Sequence, residues 1–284
     1  MTYEIVVADP AKNITVLVLS PVSAPVERAA IAKALLADPG LGAEQVGFVI
    51  SPPYEQPSGL RRVAPLWRAA PLWRLEMMGG EFCGNAARSF GLYIARRQGL
   101  RGQVRVDIEI SGMKGSVPVQ VDVEAGLAEA VMPLPIARET LSYTGADLPV
   151  YVFEGITQVI APDIRPSESV FYAIKELLNA KQDADHPIDA LGVMFWDTAA
   201  GIMTPAVYVQ ATDSLVFESS CGSGSAAMGI WAARNLPDGE ERLSLSQPGG
   251  VIAVRIQKRG GNVTGVSIGG PVKLYPQKRY EVFL

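Results

Sequence analysis

Residues able to move a proton near neutral pH are scarce in this chain, and their placement is regular. Cys83 and Cys221 are its two cysteines and His186 is its one histidine. Each cysteine is followed by glycine, then by small residues ahead of an alanine-rich apolar run: Cys83-Gly84-Asn85-Ala86-Ala87 and Cys221-Gly222-Ser223-Gly224-Ser225-Ala226-Ala227. Such runs read as helices, which puts each thiol at or just before a helix N-terminus. There the unpaired N–H groups and the helix dipole favour negative charge, and a thiol's pKa is expected to fall toward neutrality. The N–H groups at Gly84-Asn85 and Gly222-Ser223-Gly224 are placed to hold a carboxylate. Two such thiols suit stereoinversion. One thiolate removes an α-proton, and the other thiol returns a proton on the opposite face.

A lone Cys-Gly is usually packing, because free cysteine is among the most buried residue types. Here the pattern recurs at an offset of 138 residues. Cys83 lies over Cys221, Gly91 over Gly229 and Ala95-Arg96 over Ala233-Arg234, with Phe90, Leu92 and Tyr93 over Met228, Ile230 and Trp231. Farther on, Ser111-Gly112-Met113-Lys114-Gly115-Ser116-Val117 resembles Ser246-Gln247-Pro248-Gly249-Gly250-Val251. A period of half the chain is not a solenoid, whose repeats run roughly 20–50 residues. It predicts two similar domains.

Other chemistries find little support. Three or more well-spaced Cys or His ligands for a metal are not available, and no metal is expected. His186 stands in the loop-like stretch Asp183-Ala184-Asp185-His186-Pro187 and is assigned no catalytic role. Gly79-Gly80 and Gly260-Gly261 lack the context of a dinucleotide or phosphate loop, so no cofactor is expected. Twenty-five Lys and Arg against 29 Asp and Glu give a net charge of −4, which argues against nucleic acid and anionic membranes as partners. The longest apolar stretches, such as Ile14 to Leu19, have strand length and cannot span a bilayer. Met1-Thr2-Tyr3-Glu4 has no basic start, so no signal peptide is read and a cytoplasmic protein is expected.

The elements that must position the thiols follow from periodicity. Besides the two cysteine-led helices, Pro25–Leu36 is predicted helical with Ser23 as N-cap. Glu168–Ala180 is predicted helical with Ser167 as cap and Val170, Phe171, Ile174, Leu177 and Leu178 on one face. Short β-branched or alternating runs surround them, among them 5–7, 15–19, 47–50, 104–110, 117–123, 128–132, 150–153, 193–196, 206–210, 243–246, 252–256 and 263–268. Many short strands between few helices predict an α+β architecture of curved, mostly antiparallel sheets packed on helices. The crossing between halves is expected near 116–140, where Pro133 and Pro135 stiffen the chain.

At Gly79-Gly80-Glu81-Phe82-Cys83-Gly84-Asn85-Ala86-Ala87-Arg88 and Ser220-Cys221-Gly222-Ser223-Gly224-Ser225-Ala226 the chain resembles the two active-site motifs of the diaminopimelate epimerase family. The resemblance covers most of the chain. It implies two pseudo-symmetric domains, each a curved sheet around a central helix, with boundaries at 1–125 plus 270–284 and at 126–269. It also implies a cofactor-independent, two-thiol racemase or epimerase with Cys83 and Cys221 as catalytic residues, acting on a small amino acid, with a homodimer as the family's assembly. Asn13–Val18, Glu44–Phe48, Glu218–Gly224 and Gln247–Gly250 further resemble the histidine racemases of staphylopine-type metallophore synthesis. The resemblance thereby implies substrate-binding roles for Asn13, Glu44, Gly84, Asn85, Glu218, Gly222, Ser223 and Gly224.

The departures are informative. Lys12-Asn13-Ile14-Thr15 stands where diaminopimelate epimerases have Gly-Asn-Asp-Phe. Ser219, not Arg, follows Glu218, so the group that would hold a distal carboxylate is missing. Histidine is therefore the expected substrate, with Glu44 accepting a hydrogen bond from imidazole N–H. A diaminopimelate or other diamino-acid epimerase is the alternative, and a non-catalytic ligand-binding module is the rival from another class. A phenazine-biosynthesis-like isomerase would use a carboxylate, which two matched cysteines tell against. Two reactive thiols on one carbon also predict that activity needs reductant.

Overall fold

Period-two alternation of apolar and polar residues over much of the chain makes strand the prevailing element. The computed structural model describes residues 1–52, 72–181, 188–210 and 213–283, so His186 lies outside the described residues. Among the described residues there are eighteen strands and four α-helices, a mixed α+β fold dominated by sheet. The chain divides into two compact units, Met1–Ala130 with Pro271–Leu284, and Val131–Gly270.

In the first unit β1 (Thr2–Asp9) pairs antiparallel with β2 (Thr15–Val18). Helix α1 (Pro25–Leu36) then returns the chain to β3 (Gln45–Ile50), which runs parallel to β2. The α1 N-cap is Ala24, without a side-chain hydrogen bond, and not Ser23. Pro25 at the first helical position supplies the start instead, since its fixed φ suits the first turn. β4 (Arg74–Met77) pairs antiparallel with β3 and, after α2 (Gly84–Arg97), parallel with β5 (Gln103–Ile110). β6 (Val117–Asp122) and β7 (Leu127–Met132) extend the meander.

In the second unit β8 (Ala137–Tyr143), β9 (Ala146–Phe153) and β10 (Ile156–Pro162) form an antiparallel run. After α3 (Glu168–Lys181), β11 (Ala190–Asp197) runs parallel to β10. Ser167 Oγ accepts the Val170 N–H at 3.2 Å, as an N-cap should. Phe171, Ile174 and Leu178 are buried on α3, whereas Leu177 faces solvent. β12 (Ile202–Val209) and β13 (Ser214–Phe217) lead to α4 (Gly222–Ala232), followed by β14 (Gly239–Gln247), β15 (Gly250–Arg259) and β16 (Asn262–Pro271). The chain then returns to the first unit, where β17 (Lys273–Leu274) and β18 (Lys278–Glu281) pair antiparallel with β1.

Two helices matter for the site because each is sunk into its own unit. Every residue of α2 from Gly84 to Ala95 is buried, and Phe90, Leu92 and Ile94 are fully so. Burying such side chains stabilises by roughly 1.5–3 kcal/mol each. Gly91 lets β6 approach, since a Cβ there would meet Val119 Cγ1 at 2.6 Å, and on α4 a Cβ at Gly229 would meet Val254 Cγ1 at the same distance. Close packing at these points fixes the azimuth of each helix, and with it the direction of the cysteine at its start.

Candidate active site

Cys83 and Cys221 are the N-caps of α2 and α4, both with extended backbone (φ −121°, ψ 113° and φ −120°, ψ 118°). The sulfur takes the place of the usual capping oxygen. Cys83 Sγ accepts the Ala86 N–H at 3.5 Å, and Cys221 Sγ accepts the Gly224 N–H at 3.4 Å. Neither cysteine is in a disulfide among the described residues, and Cys83 is half-buried and Cys221 buried. One of the N–H groups expected to hold a carboxylate, that of Gly224, is thus directed at its own cysteine.

Around Cys83 the structure brings together three of the predicted residues. Asn85 Nδ2 donates to Asn13 Oδ1 at 3.2 Å, and Asn13 Nδ2 donates to Glu44 Oε2 at 2.6 Å. Asn13 and Asn85 are 2% and 1% exposed, so their mutual bond is shielded from water, whereas the bond to Glu44 is part-buried. The loop before Asn13 is unusual: Ala11 and Lys12 both have positive φ, 61° and 64°, and Asp9 Oδ1 accepts the Lys12 N–H at 2.7 Å. Non-glycine residues in this region cost of order 1–3 kcal/mol each, so the loop is held by its surroundings. Glu44 is fixed from the backbone side, its N–H donating to Ile14 O at 2.9 Å. Behind the cysteine turn, Ser111 Oγ accepts the Met77 N–H at 2.8 Å and donates to Glu81 O at 2.9 Å.

The second cysteine has its own frame. Cys221 N–H donates to Gln247 Oε1 at 2.9 Å, Gln247 Nε2 donates to Ser225 Oγ at 2.9 Å, and Ser225 Oγ donates to Cys221 O at 2.6 Å. Gln158 Nε2 donates to Ser223 Oγ at 2.9 Å, and that hydroxyl lies 3.5 Å from Cys221 Sγ. Burial pushes the Cys221 thiol well above its ordinary range, and the Glu218 carboxylate pushes it the same way. The Ser223 hydroxyl and the Gly224 N–H act in the opposite sense and are outweighed. The helix-start argument for a lowered pKa therefore fails at Cys221, because desolvation of a thiolate there exceeds what one amide and one hydroxyl return.

Sequence reasoning assigned no role to Arg88, Gln158, Gln247, Ser225 or Ser111. Arg88 and Ser225 stood inside the quoted motifs, and Ser111 and Gln247 in the stretches that repeat after the cysteine helices. Gln158 lies on β10, 65 residues from its partner Ser223. Among the described residues no group of three or more His, Cys, Asp or Glu side chains is placed to hold a metal, and no helix is long and apolar enough to cross a membrane.

This fold is shared with racemases and epimerases: a probable proline racemase from Agrobacterium radiobacter K84 aligns with a TM-score of 0.62 at 12% identity, over 99% of this chain and 93% of that one. A family model for the histidine racemase CntK N-terminal domain matches residues 3–278, and the chain belongs to that family. Membership makes it an isomerase. A histidine racemase of Fusobacterium nucleatum subsp. nucleatum is 29% identical, covering 96% of this chain and 95% of that protein. Another, from Staphylococcus aureus, is 26% identical over 87% of this chain and 85% of its own length.

Proposed function

We propose that the chain is a cofactor-independent amino-acid racemase that interconverts L- and D-histidine through Cys83 and Cys221. One observation carries the reading: in a member of the histidine racemase family, the two cysteines cap two buried helices in the same manner, each with a first-turn N–H on its sulfur. One thiolate takes the α-proton and becomes a thiol. The planar carbanion is stabilised by amide donors around its carboxylate. The other thiol then gives its proton to the opposite face and becomes a thiolate, so atoms balance and the pair ends a turnover with charges exchanged.

Asn85 and Asn13 position the amino-acid head in this reading, with Gly84, Gly222 and Ser223 supplying N–H groups. Glu44, anchored by Asn13, accepts from the imidazole N–H. Glu218 and Gly224 act at Cys221. The missing arginine after Glu218 favours histidine over diaminopimelate, whose distal carboxylate would lack a partner. D-Histidine would then feed an opine-type metal chelator. The two units are read as related domains, which the 138-residue offset between matching cysteines supports.

A panel of L-histidine, diaminopimelate and diaminobutyrate, followed by chiral chromatography, tests the substrate. D-Histidine should accumulate fastest. Preferred turnover of diaminopimelate would overturn the substrate and leave the thiol chemistry standing.

A further inference from the structure

Among the described residues, Arg88 is the one charged side chain with no solvent exposure. It lies on α2, five residues beyond the cysteine that caps the helix. Its Nε donates to Asn85 Oδ1 at 3.1 Å and one terminal nitrogen donates to Pro271 O at 3.1 Å, while Nη2 is buried without a hydrogen-bond partner. Two neutral acceptors do not balance a buried cation. Its electrostatic partners are Cys83 and Asp9, both of which favour its charged form; burial outweighs them and the net pKa is lowered to about 10, leaving it protonated at neutral pH.

Carboxylates also lie near this turn. Asp9 acts on Arg88, Glu44 stands behind Asn13, and Glu81 and Glu76 precede the cysteine, Glu76 being paired with Arg74 at 3.0 Å. β5 and β6 present valines and isoleucines to α2 and keep Arg105, Asp107, Glu109 and Asp122 off that face, and β2 carries no charge. Arg88 is thus the buried positive charge on Cys83, whereas the charge acting on Cys221 is the Glu218 carboxylate.

We propose that Arg88 is a positioning residue for the reaction: a fixed buried cation that makes Cys83 the thiolate of the resting pair, and a fork that holds the Asn85 amide toward Asn13. The substrate enantiomer whose α-proton faces Cys83 then meets an enzyme already in the correct protonation state. The inference rests on Cys83 being a reacting thiol, and its test reads that thiol without turnover.

The chain has two cysteines, so Cys221→Ser leaves Cys83 as the sole thiol. The pH dependence of its alkylation by iodoacetamide reports its ionisation directly. Replacing Arg88 by Gln removes the cation, which disfavours the thiolate. The midpoint should rise by about one pH unit and the rate at pH 7 should fall about tenfold. Arg88→Lys keeps the charge and should hold the midpoint within about half a unit of the parent. A folded Arg88→Gln protein with the parent's profile would overturn the proposal. Should that variant not fold, a midpoint in Arg88→Lys raised by a full unit despite its charge would overturn it too. Loss of racemisation in the parent chain would leave these profiles readable, so the two failures are distinguishable.

Discussion

A guanidinium fully removed from water costs on the order of several kcal/mol unless it is matched, and Arg88 is matched by two oxygens and by the field of Cys83 and Asp9. Cys221 lies under the opposite influence. The sign follows from charge: a carboxylate beside a buried thiol opposes ionisation, so removing Glu218's charge eases it. In a Cys83→Ser background, Glu218→Gln is therefore expected to raise the rate of Cys221 alkylation at pH 7, with its pH profile moved to lower pH. An unchanged profile would remove Glu218 from the account. Asn13 is the hinge of its chain, because Asn13→Ala strands both the Asn85 amide and the Glu44 carboxylate. About 1–3 kcal/mol of stability should be lost, measurable by urea unfolding. The cysteines, Asn13, Glu44 and Asn85 were legible because a motif or matching stretch carried each. Arg88 stood in the same motif, but its burial was not legible, since an arginine in a helix ordinarily snorkels to solvent and nothing local says that this one is enclosed.

Helices α2 and α4 were legible from their cysteine starts and alanine-rich apolar runs, and α3 from its 3.6-residue apolar period, with Phe171, Ile174 and Leu178 buried. Strands were less so. β10 is buried along nearly its whole length and shows no alternation, β8 is mostly exposed and reads as polar loop, and β4 and β13 have four residues each. Parallel pairing of β2 with β3, β4 with β5 and β10 with β11 was also hidden, since it is set by where the helical crossovers land. The repeated glycine of the two cysteine helices has a packing role that can be tested. Gly91→Ala drives a methyl into Val119, and about 1–3 kcal/mol should be lost. Adding Val119→Ala should return part of it; if the double variant is no better than the single one, the contact is not the cause.

The chain's end belongs structurally to its beginning: Thr2 is paired with Glu281, Val282 is buried, and the N-terminal ammonium donates to Val282 O at 2.7 Å. Removing residues 272–284 should therefore destabilise the first unit, seen as faster hydrogen exchange in β1, although the segment lies far from Cys83 in sequence. Unchanged protection of β1 would contradict that reading. The central claim, that two thiols exchange one α-proton of histidine, is tested most directly by incubating L-histidine in D2O with the parent chain, Cys83→Ser and Cys221→Ser. Deuterium at Cα and configuration are then followed together by NMR and chiral chromatography. The account predicts that D-histidine from the parent carries deuterium at Cα and that each serine variant loses racemisation by about a hundredfold or more. D-Histidine formed at the parent rate by either variant would contradict it.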